Sequence, residues 1–351
     1  MRDKVIWFLL YALLSTVILV IFVQDPGFNN VGQALLKDMV YGEAKRPYVY
    51  RTLLPTTVRL ITLSIPEATR ESIIERMRGN NLVMKVFNKL DWEIEYFIEY
   101  ITSCVLMYLT LFGFCYAIRY LFKGVYLSTK TFTNITPLIA LVCLPPFFKY
   151  TNYIWDFPTL MFSALLLGLM VRKKFHLFYI IFPLSCINKE TTILMSMVFA
   201  IHFYREGMNK SHLAIHLLCQ LAVFVVIKTI INIIFIENRG GLVEFQLLVH
   251  NYKVLTAYSI PTLVAWIAVV ASVIHKWREK PPFLKRGLWI MVPLFVASIF
   301  FAFIDELRDF YDAFPIFFLL FIYSLGHILE IKIKSIPAGS PAEKEPSANH
   351  R

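Results

Sequence analysis

An all-α, polytopic transmembrane helical bundle is the fold class this sequence predicts, and three observations predict it. Of its 351 residues, 58% are hydrophobic and only 17% charged. The mean hydropathy is +0.61. A soluble globular domain carries about 45–50% apolar and about 25% charged residues. Apolar runs also recur from end to end and leave no room for a soluble domain. Finally, the Lys and Arg residues behind the net charge of +11 collect in alternate loops. Together these exclude a soluble enzyme, a disordered protein and a nucleic-acid-binding module.

The first run, 5–23, follows Arg2 and Lys4. It is about the 20 residues needed to span, and no small-residue cleavage site follows it. It reads as an uncleaved span with its N-terminus inside. Further runs fall at about 96–121, 133–148, 157–171, 175–187, 191–204, 213–236, 257–274, 287–304 and 314–331. That makes about ten membrane segments with both termini on the same side.

Charge sets the orientation. One set of connections carries Lys123 and Lys130, then Arg172, Lys173 and Lys174, then Arg205 and Lys210, then a run from Lys276 to Arg286, then Lys332 and Lys334. The opposite loops carry far fewer: Lys149, Lys189, Arg239, Lys253 and Arg308. Short loops rich in Lys and Arg stay cytoplasmic. The expectation is a multi-pass protein of the cytoplasmic (inner) membrane with both termini cytoplasmic. Residues 1–336 form one transmembrane domain, and 337–351 a disordered cytoplasmic tail.

Runs 175–187 and 191–204 are each about 14 residues, short for a span. With Asn188, Lys189 and Glu190 between them, they read as a hairpin whose polar tip stops below the outer surface and lines a cavity. The alternative is a helix-boundary error of a few residues. The long outer loop, about 24–95, is no soluble domain. Its apolar positions Ile73, Ile74, Met77, Val83, Val86, Phe87 and Leu90 recur at helical spacing between basic residues, with a break at Gly79-Asn80-Asn81. That pattern predicts amphipathic surface helices.

The polar clusters all map to the outer face. Asp25 follows the first span and is a candidate general base, or a turn residue before Pro26. Arg46, Arg51, Lys189 and Arg308 are candidates to hold an anion, since guanidinium forks bind phosphate oxygens in pairs and Lys adds a point charge. Asp156, Glu190 and Glu306 stand beside them, and structural ion pairing is the competing role. Lys228 lies deep in an apolar run, with Asn232 on the same helical face. A Lys at the membrane centre costs about 2.5–3.5 kcal/mol, so it normally faces a cavity. The outer helix end is about eight residues, roughly 12 Å, away, a long reach for snorkelling.

Other signals are absent. There is no Gly-rich phosphate loop, zinc-protease motif or nucleophile elbow. His212 and His216 have i, i+4 spacing but no evident third ligand. The five cysteines lie in apolar segments and read as small core hydrophobes. No cofactor is expected and no metal ligand set is assigned, although a divalent metal is left open.

The layout resembles the GT-C class of integral membrane glycosyltransferases: one span, an acid, a long outer loop of surface helices, then many spans with short loops. The pieces Arg-Pro-Tyr-Val-Tyr-Arg-Thr-Leu-Leu-Pro (46–55), Trp-Asp-Phe-Pro (155–158), Asn-Lys-Glu-Thr (188–191) and Glu-Leu-Arg-Asp-Phe (306–310) resemble a group of small bacterial polytopic proteins of that kind. By motif the likeness covers about twenty residues. It implies transfer of a sugar from a polyprenyl-phosphate donor to an acceptor on the extracytoplasmic side, as in envelope polysaccharide assembly. Asp25 would be the base. Arg51, Lys189, Lys228 and Arg308 would hold the departing lipid phosphate. The chain departs from the pattern in lacking a second acid beside Asp25 and a soluble C-terminal domain. A transporter or flippase of lipid-linked sugars, and a scaffold of an envelope assembly system, are the alternatives. The implied partners are membrane lipid and a polyprenyl-phosphate-linked sugar, with no nucleic acid.

Overall fold

The computed structural model describes residues 2–243, 250–256 and 260–336. The tail expected at 337–351 lies outside them. The described residues are mostly helical, at 75%. Helix α1 (Arg2–Gln24) turns Val5, Leu9, Leu13, Val17 and Val20 outward. Its other face is buried at Tyr11, Ser15, Ile18 and Phe22: Ser15 meets Cys115, the Tyr11 hydroxyl donates to Asn134 O, and Phe22 packs on Phe148 and Phe157. A helix with such an apolar exposed face suits a hydrocarbon surround, in which every backbone polar group must be satisfied internally.

The long loop is helical, as its periodicity predicts. It contains α2 (Leu36–Tyr41), α3 (Leu53–Ser64), α4 (Glu67–Arg78) and α5 (Asn81–Lys89). Helix α4 buries no residue and α5 only Phe87, so these two lie on the surface. The break expected at 79–81 is a capping site: the Asn80 side chain accepts from the backbone N–H groups of Leu82 and Val83.

The bundle follows. Helix α6 (Phe97–Val125) is central, α7 (Lys130–Val142) carries Pro137, and α8 (Asp156–Val171) packs along α6. The α6–α8 approach is close because Gly168 faces Tyr120; a Cβ there would meet the ring at 2.7 Å. Next come α9 (Phe175–Asn188), α10 (Leu194–Arg205) and α11 (Lys210–Ile234). Then α12 (Tyr252–Thr256), α13 (Ile260–Ile274), α14 (Pro282–Gly287), α15 (Met291–Phe301) and α16 (Phe314–Ile328) complete the bundle.

Among the described residues, four helical stretches are long and apolar enough to cross a membrane: Arg2–Gln24, Ile94–Val125, Lys210–Ile234 and Pro282–Phe301. The ten expected segments therefore do not all appear as full-length helices. Hydropathy registers apolar content, but breaks decide length. Run 133–148 stops as helix at Val142, with a 3-10 turn at Pro145–Phe147. Runs 175–187 and 191–204 become helices of 14 and 12 residues with a 3-10 turn, Glu190–Ile193, between them. Helices α8 and α16 are likewise short, at 16 and 15 residues, and bury most of their side chains. Packing inside the bundle accounts for their apolarity.

The connections sort to two ends. At one end, Asp3 meets Lys130, and a short strand β1 (Tyr126–Ser128) pairs antiparallel with β2 (Ile333–Ser335). Glu206 meets Arg286 at 3.1 Å, and Lys276 approaches Glu279 and His327. These are the connections that the Lys/Arg bias groups together. The other end gathers the acid-and-base clusters.

Candidate functional site

Arg51 leaves a 3-10 turn (Tyr48–Tyr50) held against a distant loop. The Arg46 N–H donates to Arg239 O at 2.8 Å and the Arg46 guanidinium to Gly240 O at 2.9 Å. The Asn238 side chain donates to Gly42 O and Ala44 O. Gly240 has φ +101°, and a Cβ there would sit 2.4 Å from Arg46 O. Arg46 is thus a structural clasp, and among the described residues it forms no ion pair.

The clasp aims Arg51 inward. Its guanidinium donates to both oxygens of Glu190, at 2.5 Å and 3.3 Å, and lies 4.6 Å from the Trp155 ring centroid. Glu190 starts the 3-10 turn of the α9–α10 hairpin. Burial alone would raise its carboxyl, but Arg51 outweighs burial and holds it below the usual carboxylate range. The hairpin's other polar residues are also fixed. Asn188 donates to Trp155 O and Thr159 Oγ1, and Lys189 Nζ lies 3.6 Å from Asp312 Oδ2. Thr191 donates to the same Asp312 oxygen at 2.6 Å.

A second arm centres on Arg308, in a 3-10 turn (Leu307–Phe310). Its Nε donates to Glu306 Oε1 at 2.6 Å, its fork stands 3.9 Å from Asp156 Oδ1, and it covers the Tyr153 ring at 4.3 Å. Asp156 is oriented by the backbone N–H of Tyr153 at 2.9 Å, and Glu306 also accepts from Thr151. Tyr153 and Trp155 stack at 4.3 Å, so the two guanidinium-bearing rings touch. Asp309 completes this arm. Burial pushes its carboxyl up to about 6 despite the adjoining Arg308, and its Oδ2 is buried without a hydrogen-bond partner.

The network therefore joins Arg51, Asp156, Lys189, Glu190, Glu306 and Arg308, residues far apart in sequence. Most of its charges are neutralised in pairs. Lys228 is different: its Nζ is buried with no hydrogen-bond partner, and it interacts with the charges of Glu190 and Arg51. Asn232, one turn along α11, accepts from the Tyr50 hydroxyl at 2.8 Å, which seats the polar face of α11 beside Arg51. Glu190 is packed around by protein, yet its side chain keeps 41% exposure, while that of Asp156 has 1%. The network is thus open at the Arg51–Glu190 edge and closed at the Asp156 edge.

Asp25 is not drawn into the network. It is exposed, in the turn after α1, and its carboxylate makes neither a hydrogen bond nor an ion pair. Its neighbours take the structural part: Asn152 donates to Phe22 O at 2.8 Å and to Gly27 O at 3.3 Å. Sequence reasoning did not single out Asp312, Tyr153 or Trp155 as site residues. Asp312 had one local signal, an acid two residues before an apolar helix.

Beside the network, Asp305 accepts from Lys149 Nζ at 2.8 Å, His250 Nε2 at 2.9 Å and the Tyr150 hydroxyl. Partial burial opposes ionisation there, but the three donors prevail and bring its carboxyl down to about 2. No group of three or more metal-ligating side chains is assembled among the described residues. Comparison with protein-family models, with characterised proteins and with solved structures finds no match.

Proposed function

We propose that the chain is an integral membrane glycosyltransferase, similar in layout to the GT-C class, that moves a sugar from a polyprenyl-phosphate donor on the extracytoplasmic side. The observation that carries this reading is Lys228. Its buried ammonium has no hydrogen-bond partner and sits on a helix whose exposed side is apolar, with Val225, Val226 and Ile230 outward. A cation so placed calls for an anion reached from the lipid phase, and the phosphate of a lipid carrier supplies one. Arg51 stands at the same open edge. A second phosphate oxygen can share its fork with Glu190.

On this reading the ten-segment topology holds, with the short helices α7 to α10, α13 and α16 crossing as parts of one bundle. The network lies on the outer side. Asp309 takes the base role in preference to Asp25, because its unpartnered oxygen is inside the network and burial raises its carboxyl. It accepts the acceptor hydroxyl's proton as that oxygen bonds to the anomeric carbon. The bond from that carbon to the donor phosphate oxygen breaks, and the lipid phosphate departs toward Lys228.

The experiment is transfer from a polyprenyl-phosphate sugar to added acceptor in liposomes. Wild-type activity, with loss of turnover but retained lipid binding in Asp309→Asn and loss of both in Lys228→Gln, supports the reading. Lipid binding that survives Lys228→Gln unchanged refutes it.

A further inference from the structure

A cavity lies away from the Arg51–Lys228 network, where α2, α3 and α4 meet the start of α6. Its volume is about 140 Å³. Carboxylates dominate its lining: Glu67 and Glu71 from α4, Glu95 from the 3-10 turn (Ile94–Tyr96) before α6, and Glu99 from the first turn of α6. The Tyr41 and Tyr96 rings, 6.0 Å apart, form one wall.

Acidic residues on a surface are ordinary, but three features here are not. Glu99 is buried, and only one of its oxygens is engaged, by the Tyr41 hydroxyl at 2.6 Å. The other is left to the cavity. Thr62 is 2% exposed, lines the cavity, and its hydroxyl has no hydrogen-bond partner. Arg70 also lines it, forms no ion pair with any of the four glutamates, and has a buried Nε without a partner. Buried polar groups are normally hydrogen-bonded, and those that are not call for an explanation.

A bound ligand explains all three, and the unmet groups define its chemistry. Glu95 already takes Arg78 at 2.8 Å, so the free oxygen of Glu99 is the one that asks for a cation with several N–H donors. The Arg70 Nε–H asks for an acceptor, and the Thr62 hydroxyl serves either way. We propose that this cavity binds a primary ammonium group carried next to an oxygen, the amino-alcohol unit shared by unacylated amino sugars and by ethanolamine headgroups. The ammonium sits on Glu99 beside the paired tyrosine rings, and the ligand oxygen accepts from Arg70. The volume suits one such unit. The site does not rest on the glycosyltransferase reading, and its test involves no transfer.

The test is calorimetric titration of the full chain in nanodiscs at neutral pH, with glucosamine and with N-acetylglucosamine, whose nitrogen is uncharged. Glucosamine should bind at least about tenfold more tightly, the usual effect of losing a charge-assisted hydrogen bond. Glu99→Gln keeps an acceptor for Tyr41 and removes the charge, so it should weaken glucosamine by a similar factor. Thr62→Val, close in shape, should weaken it less. Nanodiscs of phosphatidylcholine and of phosphatidylethanolamine separate the two sources. Binding only in the former marks the headgroup as resident, and equal binding in both marks a soluble amino sugar. Equal affinity for the two sugars in phosphatidylcholine, no binding of either there, or unchanged affinity in folded Glu99→Gln overturns the proposal.

Discussion

Replacing Arg51 with Ala removes three contacts at once: two hydrogen bonds to Glu190 and the guanidinium face on Trp155. A hydrogen bond to a charged group contributes about 1.5–3 kcal/mol, and a cation–π contact about 0.5–2 kcal/mol. The side chain of Glu190 keeps 41% exposure, so water screens part of the orphaned charge and the full cost of breaking a buried pair does not apply. The expected loss is about 2–4 kcal/mol. Arg51→Lys retains charge but not the fork, and should lose about half as much. In Arg51→Ala/Glu190→Gln no unpaired carboxylate remains, so the double variant should be less destabilised than the sum of the singles by at least about 1 kcal/mol. Reversible denaturation in mixed micelles, with the four proteins of the cycle, reads these values. Strict additivity would show that the two side chains do not act as a pair, and the reasoning about the open edge would fail with it.

Three further outcomes follow from the geometry. The Asp309 carboxyl titrates at about 6 when folded, against about 3.9 unfolded, so its proton is held more tightly in the folded chain. Its contribution to stability is complete below about pH 4 and is lost as pH rises through 6; Asp309→Asn should flatten that part of the stability profile, and an unaltered profile contradicts the assignment. Gly240→Ala forces a Cβ onto Arg46 O at a backbone conformation that favours glycine, and should cost about 1–3 kcal/mol and loosen the clasp, measured as faster proteolysis of the 42–46 segment; wild-type protection would refute it. Reporter fusions at Lys130, Lys173 and Lys280 should read cytoplasmic and one near Glu67 external; an external signal at Lys280 overturns the topology.

Much of the site could be read in the chain because its polar residues stand out against apolar surroundings. Arg51, Asp156, Lys189, Glu190, Glu306 and Arg308 lie in four short polar pieces, and the bundle brings those pieces to one end. Arg46 shows the limit of that reasoning. It resembles Arg51 in composition and context, but one turn of backbone sends it to Gly240 instead of to a carboxylate. Asp25 shows another. A position after a span marks an acid as near the boundary, but whether its carboxylate points inward depends on the turn at Pro26 and Gly27. Tyr153 and Trp155 were invisible as site residues because aromatic side chains are plentiful throughout, and only stacking beneath two guanidinium groups distinguishes them. Helix number was harder than helix presence. Apolar content is the same whether a segment crosses lipid or is sheathed by neighbours, as α8 and α16 are.

We propose that the unpaired Lys228 ammonium receives a lipid-borne phosphate. Native mass spectrometry of the full chain in nanodiscs doped with a polyprenyl monophosphate tests it most directly, with a polyprenyl alcohol of equal length as control. The wild-type chain should form a one-to-one adduct with the phosphate and a much weaker one with the alcohol, and Lys228→Gln should lose the preference. Equal retention of phosphate and alcohol by the wild-type chain, or a preference that persists in Lys228→Gln, contradicts it.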